Sequence, residues 1–302
     1  MLLRVFPFLA VLAALIGYVS ADQVSLARPA IVPLLMLVML AMGLTLRWQD
    51  FAALQNLKSA FLLGLSLQFL AMPLLATGIS IFLQLDPELR TGMLLVGSVA
   101  GGTASNVMAF LAHGNVALSV AMTATSTLAS IALTPLWMLL LSEQSVEIPA
   151  WPIFKALLQI ILLPVFLGVL MNRFLADQIK ALESWLAGFA MLTVAIIIAI
   201  VVSLNASRLG QLSYVVLLAP LLHNLAGLSL GYYAAQIGGF DASVRRTIAL
   251  EVGMQNSGLA AALALKFFSP MAAVPGAIFS VWLNVTGALF ASLSTRQDRK
   301  RN

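Results

Sequence analysis

The sequence predicts an all-α polytopic membrane protein, with ten transmembrane helices arranged as two inverted five-helix repeats. Three observations lead there. Hydrophobic residues make up 61% of the 302 and charged residues only 9%, with a mean hydropathy of +1.02, whereas a soluble chain carries roughly 25% charged residues. The apolar sequence divides into segments of about 20 residues, the length a helix needs to cross a bilayer. Two oxygen-rich, glycine-bearing runs then interrupt it, Gly101-Gly102-Thr103-Ala104-Ser105-Asn106 in the first half and Glu251-Val252-Gly253-Met254-Gln255-Asn256-Ser257-Gly258 in the second. Paired interruptions in corresponding positions of two halves point to a carrier's binding site. They are expected to form two broken helices, the fourth and the ninth, crossing at mid-membrane.

The elements follow in order. Residues 5–20 form the first apolar segment, behind Arg4. Val19-Ser20-Ala21 resembles a signal-peptidase site, so a cleaved signal competes with a retained first helix; retention balances five segments per half. Residues 30–46 give the second helix, ending at Arg47, and Trp48-Gln49-Asp50-Phe51 reads as an interfacial stretch with tryptophan at the aromatic belt. Residues 59–83 make the third, with Gln68 mid-segment and Pro73 beyond it. The fourth, 90–112, is interrupted at Gly101-Gly102. The fifth, 115–141, carries Ser119 and Thr123 four apart and so on one face. Glu143 to Ala150 is a short polar linker, which divides the chain into repeats at 1–145 and 146–302. The second repeat has helices near 153–172, 182–203, 211–237, 244–266 and 272–293. An odd number of helices per half inverts the second relative to the first.

Charge orients this plan. Counted over the ten-helix topology, 11 of the 16 basic residues fall on one side, among them Arg47, Lys58, Arg245, Arg246 and the Arg296–Arg301 group. By the positive-inside bias, both termini are expected in the cytoplasm, with the protein in the inner membrane. The net charge of +5 is thereby explained without nucleic acid. With no cysteine, the chain has no disulfide, thiolate metal site or cysteine nucleophile. Two histidines without a His-Glu-x-x-His spacing make no metal dyad, so neither an enzyme nor a resident cofactor is expected. His223 and Asn224 read as a satisfied interhelical hydrogen-bond pair, and His113 as interfacial.

The two runs carry the chemistry. A carboxylate and two amides at bilayer depth are costly unless they face a cavity, an ion or each other. Gln68 is either interhelical glue or an ion ligand by spacing alone. Broken helices offer unwound carbonyls to a cation and half-helix N-termini to an anion. Glu251 without a cation would take up a proton instead, which keeps proton coupling open beside cation coupling. A passive channel would show a wide polar stripe along several helices, whereas polarity here is concentrated in two runs. A hydrolase would need a base beside a serine.

Gly101 to Val107 with Gly114-Asn115-Val116-Ala117-Leu118-Ser119-Val120, and Glu251 through Ala260, are similar to the bile acid:sodium symporter family. The similarity extends over nearly the whole chain, including Met42-Gly43-Leu44-Thr45-Leu46 and Val274-Pro275-Gly276. The resemblance implies sodium as coupling ion, two per cycle. One ion site would use Ser105, Asn106, Ser119, Thr123 and Glu251. The other would use Gln68, Gln255, the shared Glu251 and carbonyls around Val252 and Met254. An organic anion would bind near Thr103 and Asn256, with Asn284 either lining the cavity or packing. At Trp282-Leu283-Asn284 the chain departs from some bile-salt-binding bacterial relatives, which would carry histidine where Leu283 stands. A smaller pantoate- or ketopantoate-like acid therefore stands beside a bile-acid-like one.

Overall fold

A computed structural model describes residues 2–46, 57–143, 146–209 and 213–301. Among them the chain is helical throughout, without a strand, apart from one isolated antiparallel bridge between Gly101 and Gln255. In order come α1 (Leu2–Val19), α2 (Ile31–Thr45), α3 (Lys58–Phe82), α4 (Pro87–Ser98), α5 (Ala104–Leu111) and α6 (Val116–Leu141). Then follow α7 (Ala150–Leu157), α8 (Leu163–Leu209), α9 (Val215–Ile237), α10 (Ala242–Gly253), α11 (Ser257–Phe267) and α12 (Pro270–Arg301). Among the described residues seven helices are long and apolar enough to cross a membrane, and Phe8–Val19 and Ser257–Phe267 are shorter apolar stretches. The predicted interfacial run Trp48–Phe51, with Arg47, lies outside the described residues.

Proline shapes two of the long helices. A π turn occupies Leu67–Ala71 within α3, and another, Leu158–Leu162, joins α7 to α8. Each closes just before a proline, Pro73 or Pro164. Proline has no N–H to give, and its ring crowds the carbonyl one turn back, so a locally wider turn relieves the clash. Gln68 sits in the first of these turns.

The predicted interruptions are real, and their mechanism is visible. After α4, Val99 takes extended backbone (φ −78°, ψ 174°), as does Met254 after α10 (φ −108°, ψ 94°). The two extended stretches run side by side: Gly102 N–H donates to the Met254 carbonyl at 2.7 Å and Asn256 N–H to the Ala100 carbonyl at 2.9 Å. Peptide groups freed from their helices thus satisfy each other, as an apolar surround requires. A Cβ on Gly102 would lie 2.8 Å from the Gln255 carbonyl oxygen, so glycine is what lets the backbones meet. The surrounding core is apolar, with Val99, Met108, Leu250, Met254, Leu259 and Phe279 all buried.

A second close-packed set joins α1 and α2 to α8. A Cβ on Gly43 would stand 2.4 Å from the Val165 carbonyl oxygen, one on Gly168 2.6 Å from that of Leu40, and one on Gly17 2.2 Å from that of Ala199. Small residues allow backbones to approach where no hydrophobic force drives helices together. Gly43→Val is therefore expected to lower the melting temperature of the detergent-purified protein by at least about 5 °C through overpacking. A thermal ramp of both proteins checks it.

The run Leu163–Leu209 holds two helices joined across a kink at Leu175 (φ −125°, ψ 29°), and its two apolar spans are Ala150–Ile179 and Gly188–Ser207, in line with the two helices expected near 153–172 and 182–203. One sequence expectation needs correction: Arg246 is not a loop charge. α10 begins at Ala242, and the Arg246 side chain is buried, donating to the carbonyls of Ala112 (3.1 Å) and Ser294 (3.4 Å). Ala112 caps the C-terminal end of α5, where a guanidinium is favourable.

Candidate ion and substrate site

α10 carries Glu251 one turn before its helix ends, and the crossing presses that turn against α5 and α6. The Glu251 carboxylate is 3% exposed and accepts three hydroxyl hydrogens. Its Oε1 accepts from Ser105 and, at 2.5 Å, from Ser119, and its Oε2 accepts from Thr123 at 2.8 Å. Asn106 Oδ1 lies behind them, 2.9 Å from Ser119 Oγ and 3.1 Å from Thr123 Oγ1, sharing the single hydrogen that each hydroxyl has to give. Ser119 and Thr123 do share one face of α6. A hydroxyl both donates and accepts, so the oxygens that now donate to the carboxylate keep lone pairs for a cation. One carboxylate, three hydroxyls and an amide carbonyl make an all-oxygen donor set that suits a hard cation.

A second polar group lies across the crossing. Gln68 Nε2 donates to Gln255 Oε1 at 2.6 Å and to the Val99 carbonyl at 2.8 Å, while Gln255 Nε2 donates to Gln68 Oε1 (3.2 Å) and to the Val252 carbonyl (2.8 Å). The Met254 carbonyl takes the Gly102 N–H. The described hydrogen bonds of the Glu251 side chain all run to the first group, so the second group, as hydrogen-bonded here, holds Gln68, Gln255 and the Val252 carbonyl without the Glu251 side chain that was expected to be shared.

Both groups border a cavity of about 480 Å³. Thr103, Asn106, Thr123, Gln255, Asn256 and Asn284 all line it, and so does Leu283. Asn256 caps α11, its Oδ1 accepting from Leu259 N–H at 3.1 Å, and Thr103 is the N-cap of α5. The N-terminal ends of both half-helices therefore open on one space, where backbone N–H groups favour negative charge. Among the described residues lining it there is no Asp, Glu, Lys or Arg.

Sequence reasoning missed part of this wall. Ser257 and Ser280 bond through their hydroxyls at 2.6 Å, and Asn284 donates to the Ser280 carbonyl at 2.8 Å. The spacing of Ser280 and Asn284, one turn apart on a helix, was the available signal. Ser126, 3.3 Å from Gly101 N–H, was passed over because a single serine in an apolar helix usually bonds its own backbone. His223 and Asn224 both bond other helices, as expected, while His223 Nδ1 is buried with no hydrogen-bond partner among the described residues. His223 Nε2 lies 3.0 Å from the Met72 carbonyl, and Asn224 Nδ2 donates to the Gly253 carbonyl at 2.8 Å.

Apolar helices broken at a shared, oxygen-rich crossing beside a cavity define a membrane transporter. Residues 32–212 match the model of the sodium bile acid symporter family. The chain is 37% identical over 298 residues to the uncharacterized sodium-dependent transporter YocS of Bacillus subtilis, covering 99% of this chain and 93% of the relative. It is 36% identical over 299 residues to the probable sodium/metabolite cotransporter BASS1, chloroplastic, of Arabidopsis thaliana, covering 98% and 74%. A rice relative, the probable sodium/metabolite cotransporter BASS2, chloroplastic, is 35% identical over 301 residues, covering 96% and 70%. The chain belongs to the sodium bile acid symporter family. It is a multi-pass membrane protein of a sodium-dependent transporter family, not an enzyme.

Proposed function

We propose that the protein is a symporter that uses sodium to carry a small organic anion inward by alternating access. The observation that carries this is the buried Glu251 carboxylate, ringed by Ser105, Ser119 and Thr123 at the edge of a cavity faced by two half-helix N-termini. One sodium ion binds at Glu251 with Ser105, Asn106, Ser119 and Thr123. A second binds at Gln68 and Gln255 with the carbonyls of Val252 and Met254, and Glu251 supplies charge to both. The substrate carboxylate rests near Thr103 and Asn256, and its remainder reaches Asn284. An uncharged wall supports recognition of a monoanion by helix ends, amides and hydroxyls. The cavity size supports a pantoate- or ketopantoate-like acid or a compact bile-acid-like one.

In this reading the interrupted pairs α4/α5 and α10/α11 each count as one span and α1 as another, which with the seven long helices makes ten. The ten form two inverted repeats, 1–145 and 146–302, in the inner membrane with both termini cytoplasmic.

The test is uptake of a radiolabelled organic-acid panel into proteoliposomes, with and without an inward sodium gradient. Sodium-dependent accumulation of at least one acid is expected. Two sodium ions per monoanion make the cycle electrogenic, so an inside-negative potential should accelerate it. Accumulation driven equally well by a proton gradient in sodium-free buffer would overturn sodium coupling and make Glu251 a proton carrier. Within the same assay, Ser119→Ala and Thr123→Ala each remove one hydroxyl oxygen from the first group. Each should raise the sodium concentration for half-maximal uptake by roughly tenfold, with a smaller effect on substrate half-saturation.

A further inference from the structure

His223 and Asn224 are fully buried on α9, behind the crossing, and neither lines the cavity. Asn224 joins three helices. Its Nδ2 donates at 2.8 Å to the carbonyl of Gly253, the last residue of α10, and its Oδ1 accepts from Thr286 of α12 at 2.5 Å. The Gly253 peptide stands between the Val252 and Met254 carbonyls. His223 reaches the other way, to the carbonyl of Met72 at 3.0 Å, one residue beyond the π turn that holds Gln68. The α9 backbone itself closes on the same spot: a Cβ on Gly227 would lie 2.9 Å from Gly253 Cα and 3.0 Å from the Val252 carbonyl oxygen. Adjacent side chains on one helix thus hold the backbone beside each member of the Gln68–Gln255 pair.

The physical need for such a hold is specific. Where α10 ends, the Gly253 carbonyl has left the helical ladder, and a peptide without a partner in an apolar interior is free to turn. Turning it would swing the carbonyls on either side. Cation sites depend on groups that fix their ligands without touching the ion, and losing such a group lowers affinity by roughly ten- to a hundredfold.

We propose that Asn224, supported by Thr286 and His223, is a positioning residue for the second cation group. It holds the Gly253 peptide so that the Val252 and Met254 carbonyls and the Gln255 amide stay in register with Gln68. The inference rests on the reading of Gln68 and Gln255 as sodium ligands.

The experiment measures sodium activation of uptake, and sodium-dependent thermal stabilisation, for wild type, Asn224→Asp, Asn224→Ser and Thr286→Val. Aspartate keeps the size of Asn224 but loses the donor, and valine keeps the shape of threonine without its hydroxyl. In both Asn224 variants the sodium half-saturation should rise roughly tenfold and the Hill coefficient fall towards 1. Substrate half-saturation at saturating sodium should stay within about twofold of wild type, because the cavity wall is untouched. Thr286→Val should shift the sodium curve in the same direction by a smaller factor, and it carries the test alone if the Asn224 variants do not fold. A variant that folds and loses only maximal rate, with its sodium curve unchanged, overturns the inference. A wild-type curve with no sodium response, or with a Hill coefficient of 1, overturns the reading beneath it instead.

Discussion

Glu251→Ala is expected to reduce sodium-driven uptake by at least about a hundredfold, while the protein still reaches the membrane. The carboxylate is the single negative charge placed among Ser105, Ser119 and Thr123, each of which donates to it. Removing one partner from a buried charged arrangement typically costs about 3–5 kcal/mol, and each 1.4 kcal/mol is tenfold in affinity. Glu251→Gln separates charge from shape. Its amide nitrogen is a donor in a place now occupied by an acceptor of hydroxyl hydrogens, so it should fail nearly as completely as alanine. Glu251→Asp keeps the charge but withdraws it by one methylene, and should retain weak uptake with a raised sodium requirement. Uptake assayed beside the amount of inserted protein decides the matter. Uptake by Glu251→Gln at the wild-type sodium requirement would show that the carboxylate charge is not used.

Gly102→Val is expected to have an effect of similar size by a different route. A Cβ at Gly102 would stand 2.8 Å from the Gln255 carbonyl oxygen and 3.2 Å from its carbon. Both are backbone atoms, which cannot rotate aside as a long side chain would. The stretch Met254–Asn256 must move away, breaking the bonds from Gly102 N–H to Met254 and from Asn256 N–H to Ala100. Gln255 then leaves Gln68, and α11 no longer points at the cavity. A displacement of about 1 Å in a preorganised site costs on the order of a hundredfold, which is the loss of uptake expected here. Gly101→Ala is the control, because its Cβ would meet Glu251 O and Oε2 only at 3.3 Å and Ser126 Oγ at 3.7 Å. It should lose uptake by roughly tenfold at most. Equal losses in the two variants would mean that the backbone approach at Gly102 is not the determinant.

The parts of the fold written in local chemistry were legible. Hydropathy and segment length located the seven long apolar helices seen among the described residues, and glycine with side-chain oxygen in apolar sequence located both interruptions. The grouping of Ser105, Asn106, Ser119 and Thr123 with Glu251 came from family likeness. The structure then supplied the contacts that bring residues from α5, α6 and α10 together. What stayed hidden depends on partners distant in sequence. Arg246 looks like any basic residue near a helix end until the terminus of α5 is seen to dock on it. His223 and Asn224 were read as interhelical hydrogen-bonding residues, but which helices they join, through Met72, Gly253 and Thr286, depends on partners that sequence does not name. The Gln68 π turn was implicit in Pro73, whose consequence for the preceding turn was not drawn from sequence alone.

The crossing also governs how the molecule is made. Ser105 and Glu251 are 146 positions apart, and Gln68 and Gln255 are 187. Synthesis delivers the N-terminal half first. The peptide groups of Ala100 and Gly102 therefore enter the membrane before the residues that will bond them exist. In hydrocarbon each unsatisfied group costs several kcal/mol, so this stretch must wait beside water or the insertion machinery, out of contact with lipid. The bonds that satisfy this stretch can form only once Met254 and Asn256 have been made. The device that gathers the ligands at one depth also makes the last third of the message a condition for the stability of the first.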